Sequence, residues 1–148
     1  MNTYREFQFS SVLLIFTVLI SLLTSYRHDF NEILFDMNSF TMVNGILILI
    51  YLLFYGMTTK IDDERIVISL GIGLIKETIE INEIRSMDIV KNPWYAGWGV
   101  RLIPNGTLYN AAGFESLELK FKGTKEVIRI GTKNPVQLRN EISRRLSK

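Results

Sequence analysis

The chain has 148 residues, a formal net charge of +2 and no cysteine. That length holds one compact domain, or a smaller one with an apolar appendage. The missing thiols exclude a cysteine nucleophile, a disulfide framework and a Cys-ligated metal, and the scattered basicity lacks the dense cationic stripe of a nucleic-acid binder.

The two parts of the chain differ. From Met1 to Thr59 the only charged side chains are Arg5, Glu6, Arg27, Asp29, Glu32 and Asp36. From Lys60 on, basic residues outnumber acidic ones by about four. That excess suits a domain beside an anionic leaflet, where each nearby Lys or Arg contributes about 1 kcal/mol.

Met1 to Glu6 is a short polar start. Phe7 to Leu23 then runs without a charge. Arg5 ahead of an apolar run also fits a signal peptide, but Leu22, Leu23, Thr24, Ser25 and Tyr26 lack the small-x-small cleavage pattern, which favours an uncleaved anchor. A polar connection from Tyr26 to Ser39 leads to Phe40–Met57, again uncharged. As a helix this second run is about 27 Å long, against about 30 Å of bilayer hydrocarbon. The expectation is therefore two transmembrane helices at about 7–25 and 40–57. Residues 1–59 would be a membrane anchor and residues 60–148 a separate domain. Tyr26, Tyr51 and Tyr55 lie where aromatic rings favour the interface. Arg5, Lys60 and Arg65 flank the pair, and the positive-inside rule then places both termini and the domain in the cytoplasm of a multi-pass cell-membrane protein. Asn44 and Gly45 suit either a seam between the helices or a passenger role within the apolar run.

Beyond Lys60 the pattern becomes that of strands. Ile66, Ile68 and Leu70 recur with period two, as do Ile75, Ile79 and Ile81, with Gly71 and Gly73 marking the turn between. Asp62, Asp63 and Glu64 read as a solvated hairpin tip, since a calcium loop spreads its ligands over about twelve residues. A further strand is expected around Ser86 to Val90. Val100 to Ile103 and Thr107 to Tyr109 flank Pro104-Asn105-Gly106, and Asn-Gly between apolar runs is a strong hairpin signal. Leu117, Leu119 and Phe121 alternate with Glu118, Lys120 and Lys122, and Gly123 leads into Val127 to Ile130. Asn134 and Pro135 open a helix in which Val136, Leu138, Ile142 and Leu146 share one face.

Six or seven strands followed by one helix resembles the pleckstrin-homology-like order, a bent β-sandwich plugged by its last helix. The stretch Asn92-Pro93-Trp94-Tyr95-Ala96-Gly97-Trp98-Gly99-Val100-Arg101 sharpens the likeness. With Tyr109-Asn110, Gly113 and Arg129 to Pro135, the chain is similar to the bacterial membrane-anchored PH-domain family. The resemblance implies an α+β fold: two N-terminal transmembrane helices, then a PH-like sandwich of about seven strands with a C-terminal helix. Lys60-Ile61-Asp62-Asp63-Glu64-Arg65 departs from the basic first hairpin of phosphoinositide-binding members, and its acidic tip would repel anionic head groups.

Trp94, Tyr95, Trp98 and Arg101 are the candidate contact residues, as broad aromatic faces with a cation that can stack on them. The competing reading has those rings covering a sandwich edge. His28 is the only histidine, so any Ser-His-Asp site would need it as base. Gly71-Ile72-Gly73 lacks the third glycine of a dinucleotide loop. No cofactor, metal or catalytic set is expected, and the function indicated is a non-enzymatic, membrane-tethered interaction or scaffolding module. A lipid or small-ligand sensor using the aromatic loop is the alternative. The partners expected are the lipid bilayer and a second copy or membrane protein, not nucleic acid.

Overall fold

Strand β1 (Tyr4–Phe9) pairs with β2 (Gly56–Ile61) on the far side of two helices, α1 (Ser11–Phe30) and α2 (Met37–Phe54). The computed structural model describes residues 3–30, 37–93 and 98–147. β1 and β2 are antiparallel neighbours, with Tyr4 opposite Ile61 and Phe9 opposite Gly56. The helices thus replace the turn of a β-hairpin. The two helices together form a helical hairpin carried between adjacent strands of one sheet.

That sheet continues through β3 (Arg65–Leu70) and β4 (Ile75–Glu80) in the order β1-β2-β3-β4, all antiparallel. A 3-10 turn at Ile81–Glu83 leads to β5 (Ile84–Lys91). The second sheet adds β6 (Gly99–Ile103), β7 (Gly106–Asn110), β8 (Glu115–Phe121) and β9 (Val127–Gly131) in the order β5-β8-β9-β7-β6. Met57, Ile61, Ile66, Ile68 and Ile79 of the first sheet meet Ile84, Tyr109, Leu117, Leu119 and Ile130 of the second in one core. Helix α3 (Pro135–Leu146) closes that core with Leu138 and Ile142.

Among the described residues no helix is long and apolar enough to cross a membrane. This corrects the expectation of transmembrane helices at about 7–25 and 40–57, and with it that of a multi-pass membrane protein with both termini in the cytoplasm. The reason is that each apolar run is divided between a helix and a strand. Phe7 and Phe9 belong to β1, so the uncharged apolar stretch of α1 starts at Val12 and ends at Leu23, about 18 Å of helix. Gly56 and Met57 belong to β2, so α2 stops at Phe54, and Ile46 to Phe54 covers about 14 Å. The strand count is also corrected: nine among the described residues rather than about seven, one of them ahead of the helices.

The hairpin expected at Pro104-Asn105-Gly106 forms, with Ile103 opposite Gly106 and Asn105 at φ +62°. Its glycine answers to a more distant constraint. β7 runs parallel to β9, with Gly106 opposite Val127, and a Cβ on Gly106 would lie 1.7 Å from the Val127 carbonyl oxygen. α3 keeps Leu138 and Ile142 inward, but Val136 is exposed and Arg145 takes the remaining inward position. Gly45, with open space around it and no positive φ, is the natural control for Gly106. Gly106→Ala is expected to destabilise by about 1–3 kcal/mol through overpacking, read as a fall in thermal midpoint that Gly45→Ala does not produce.

Candidate functional site

The base of the helical hairpin is built from backbone hydrogen bonds. The Ser10 amide donates to the Tyr55 carbonyl at 2.8 Å, which joins the start of α1 to the end of α2. The last four carbonyls of a helix have no partner within it. Here the β3–β4 turn supplies one, the Ile72 amide donating to the Leu52 carbonyl at 3.1 Å, while the Gly71 amide reaches Gly56 at 2.8 Å. Gly71 has φ +50°, and a Cβ there would meet the Leu52 carbonyl oxygen at 2.2 Å. Both the conformation and the close approach demand glycine.

Within the hairpin, polarity is inverted relative to a helix pair in water. Ser21 Oγ donates to Asn44 Oδ1 across the helices at 2.7 Å, and Asn44 Nδ2 donates to the Phe40 carbonyl. Thr17 and Ser25 return their hydroxyls to carbonyls four residues earlier. The outward positions are apolar: Phe16, Leu19, Leu22 and Leu23 on α1, and Ile46, Ile48 and Leu49 on α2, are all exposed. Residues 14, 15, 16, 18, 19 and 20 are all exposed. At about 100° per residue they cover about two-thirds of the circumference of α1, the rest being the side of Thr17 and Ser21 that meets α2, so no polar stripe is left for water. Asn44 therefore marks the interhelical seam as expected, whereas Gly45 has open space beside it.

Aromatic and aliphatic groups continue this apolar surface around the base. The Phe7 and Tyr55 ring centroids are 6.3 Å apart, and those of Tyr51 and Tyr55 are 6.0 Å apart. In the β3–β4 turn Ile72 is 57% and Leu74 74% exposed. Of the aromatic-loop candidates, Trp94 and Tyr95 lie outside the described residues. Trp98 is half-buried at the entry to β6, and the next residue, Gly99, comes close enough to Phe54 that a Cβ would lie 3.5 Å from its ring. Arg101 is exposed two residues further along β6, an edge strand. Gly99, between them in the chain, therefore stands beside the end of α2, a placement the sequence could not show because it depends on contacts between distant segments.

The sequence reading missed Glu6. Its carboxylate accepts from the Tyr4 hydroxyl, the Thr132 hydroxyl and the Lys133 amide at 3.1, 2.8 and 3.0 Å. Gln8, buried beside it, donates to the Gly131 carbonyl at 2.6 Å. These bonds fasten β1 to the junction between β9 and α3. The signal was the alternation in Tyr4-Arg5-Glu6-Phe7-Gln8-Phe9, in which Tyr4, Glu6 and Gln8 point inward and Arg5, Phe7 and Phe9 outward. Burial, together with the Glu6 carboxylate, holds the Tyr4 hydroxyl protonated well above the ordinary tyrosine range.

Asp62 to Glu64 form the β2–β3 tip, closed by the Asp62 amide donating to Arg65. Among the described residues no group of three His, Asp or Glu side chains is placed to hold a metal. A cleft of about 640 Å³ opens between β4 and the β8–β9 turn, where Glu77, Glu83 and Glu126 lie over Ile79, Phe121 and Ile128. Glu77 accepts the Tyr109 hydroxyl at 3.0 Å. Burial first, then this bond, raises the Tyr109 pKa to about 12. A raised tyrosine pKa favours the folded state below the unfolded value of about 10, and that contribution fades as pH climbs from there to about 12. Tyr109→Phe is expected to flatten this part of the stability–pH profile, measured by thermal melts in alkaline buffers. No family model, curated protein or solved structure matches the chain.

Proposed function

We propose that this chain is a non-enzymatic interaction module of pleckstrin-homology-like type, and that the helical hairpin is the element that meets its partner, a lipid surface. The observation that carries the reading is the inverted hairpin, with its hydroxyl and amide groups bonded inward and its apolar groups turned out. Large apolar patches on a folded domain mark interaction sites. Among the described residues, fifteen large apolar side chains on α1 and α2 are exposed. Covering them at about 1 kcal/mol or more each would supply over 10 kcal/mol, enough to exceed the lower estimates of association entropy. A protein partner would cover one stripe of such a helix, whereas acyl chains surround it. The reading requires insertion at a surface and rests on no bilayer-crossing helix. A non-enzymatic role is supported by the occupation of Glu6, Glu77 and Glu118 in bonds that hold strands together.

The test is flotation of the purified full chain with phosphatidylcholine vesicles. The chain is expected to rise with them. Leu22→Glu with Ile48→Glu should reduce the floating fraction at least tenfold, since a carboxylate in hydrocarbon costs about 2.5–3.5 kcal/mol. A wild-type chain that stays behind as a monomer, or that self-associates and ignores vesicles, would defeat the proposal.

A further inference from the structure

Glu118, Lys120 and Arg129 alternate with the core residues Leu117, Leu119, Ile128 and Ile130, so they stand on the outer face of the second sheet. At one end of that face a cavity of about 440 Å³ opens between the start of β5, the β6–β7 turn and the β8–β9 turn. Its walls carry four cations, Arg85, Lys120, Lys125 and Arg129, against two carboxylates, Glu118 and Glu126. Local departures from regular pairing build it. β5 sets Ile84 opposite Phe121 and Ser86 opposite Lys120, so Arg85 is the extra residue of a bulge. A bulge takes its residue out of the ladder and re-aims the side chain. The β6–β7 turn is held at the rim, where the Val127 amide donates to the Asn105 carbonyl at 2.8 Å. In the β8–β9 turn the Glu126 amide donates to the Thr124 hydroxyl at 3.1 Å, with Lys125 between them.

The four cations are not equivalent. Lys120 donates to Asp88 at 2.7 Å and lies 3.6 Å from Glu118. Arg129 gives its Nε to Glu118 at 2.7 Å. Those two charges are answered on the sheet itself. Arg85 and Lys125 are exposed and make no ion pair among the described residues. They reach the same cavity from different walls, one from the β5 bulge and one from the β8–β9 turn. An excess of two positive charges over carboxylates, with two cations uncommitted, matches a dianion. A guanidinium presents paired donors in the fork that phosphate oxygens accept, and an ammonium adds a point charge. A carboxylate, with one negative charge, answers only one of the two. The cavity is larger than a bare phosphate fills and lies within the range of about 300–1,000 Å³ typical of small-molecule sites. Half-buried Phe121 and Val127 in its lining offer apolar surface to an organic group.

We propose that this cavity binds a phosphate monoester of a small water-soluble molecule, its phosphate bridging Arg85 and Lys125. The Thr124 hydroxyl and the Nη groups of Arg129 are further donors to the same oxygens. The site is separate from the base of the helical hairpin. Gly99, at the start of β6, is the residue beside Phe54, and the β6–β7 turn follows Ile103, four residues and about 13 Å further along the strand. The inference is therefore independent of the lipid-surface reading, and it takes the phosphate from solution.

The full chain in a non-ionic detergent is titrated with phenyl phosphate at constant ionic strength and followed by amide NMR. Saturable shifts are expected at Arg85, Ser86 and the β8–β9 turn. Benzoate, which carries the same ring on a single negative charge, should bind at least about tenfold more weakly, the worth of one charge-assisted hydrogen bond. Arg85→Gln and Lys125→Gln should each weaken phenyl phosphate about tenfold by the same measure. Both should melt at the wild-type temperature, since neither side chain has a partner to lose. Lys91→Gln, an exposed cation of β5 outside the cavity, should leave the affinity unchanged. No saturable shift, equal binding of benzoate, or undiminished binding by both variants overturns the proposal. The source of the phosphate is tested by flotation with vesicles containing phosphatidic acid, a lipid phosphate monoester. Arg85→Gln with Lys125→Gln should float as wild type does. A double variant that loses only the phosphatidic acid vesicles would overturn the assignment to a soluble ligand. Failure of the chain to float at all would defeat the lipid-surface reading and leave the phenyl phosphate result standing.

Discussion

Everything in this fold depends on the pairing of β1 with β2 across the helical hairpin. Six residues ahead of α1 and six after α2 lie side by side, closed at the hairpin base by the Ser10–Tyr55 hydrogen bond. The helices could not leave the sheet as a pair unless those two strands were neighbours. Nor could the β3–β4 turn satisfy the end of α2 unless β2 and β3 were also paired. The apolar hairpin is thereby built into the sheet on two strands, with no linker between them.

The edges of the first sheet show how the sandwich protects itself. β1 and β4 are its outer strands, and each turns a glutamate inward, Glu6 and Glu77. Each glutamate accepts a tyrosine hydroxyl, from Tyr4 and Tyr109. An inward charge on an edge strand discourages pairing with a further chain. A different device serves the second sheet, where Asp88, Lys120, Glu118 and Arg129 alternate in sign across β5, β8 and β9 at 2.7, 3.6 and 2.7 Å. Glu118 is buried and satisfied at the centre of that row.

Local chemistry was legible in the sequence wherever a local rule governed it. The β2–β3 tip, the Pro104–Asn105 turn, the strands around Val100, Leu117 and Val127, and a final helix starting at Pro135 all follow from turn residues and period-two patterns. Asn44 as a seam residue could also be read. What failed was the boundary inside an unbroken apolar run. Nothing in Phe7-Gln8-Phe9-Ser10-Ser11-Val12 separates strand from helix, because the separation is imposed by β2 nearly fifty residues later. The same limitation hid the reason for Gly106, which is the Val127 carbonyl, and the close approach of Gly99 to Phe54. Val136 and Leu146 matched the helical spacing yet are exposed, and at the C-terminal end of α3 the inward position is taken by Arg145 rather than by Leu146.

The pairing of Phe9 with Gly56 also has a kinetic meaning. Contacts between residues so far apart in the chain are entropically expensive to form from an open coil, and the expense grows slowly with the length of the intervening segment. Two helices joined by Ser21 and Asn44 hold the ends of that segment within reach of each other, and so shorten the search for the β1–β2 pairing. The hairpin is in this sense a splint.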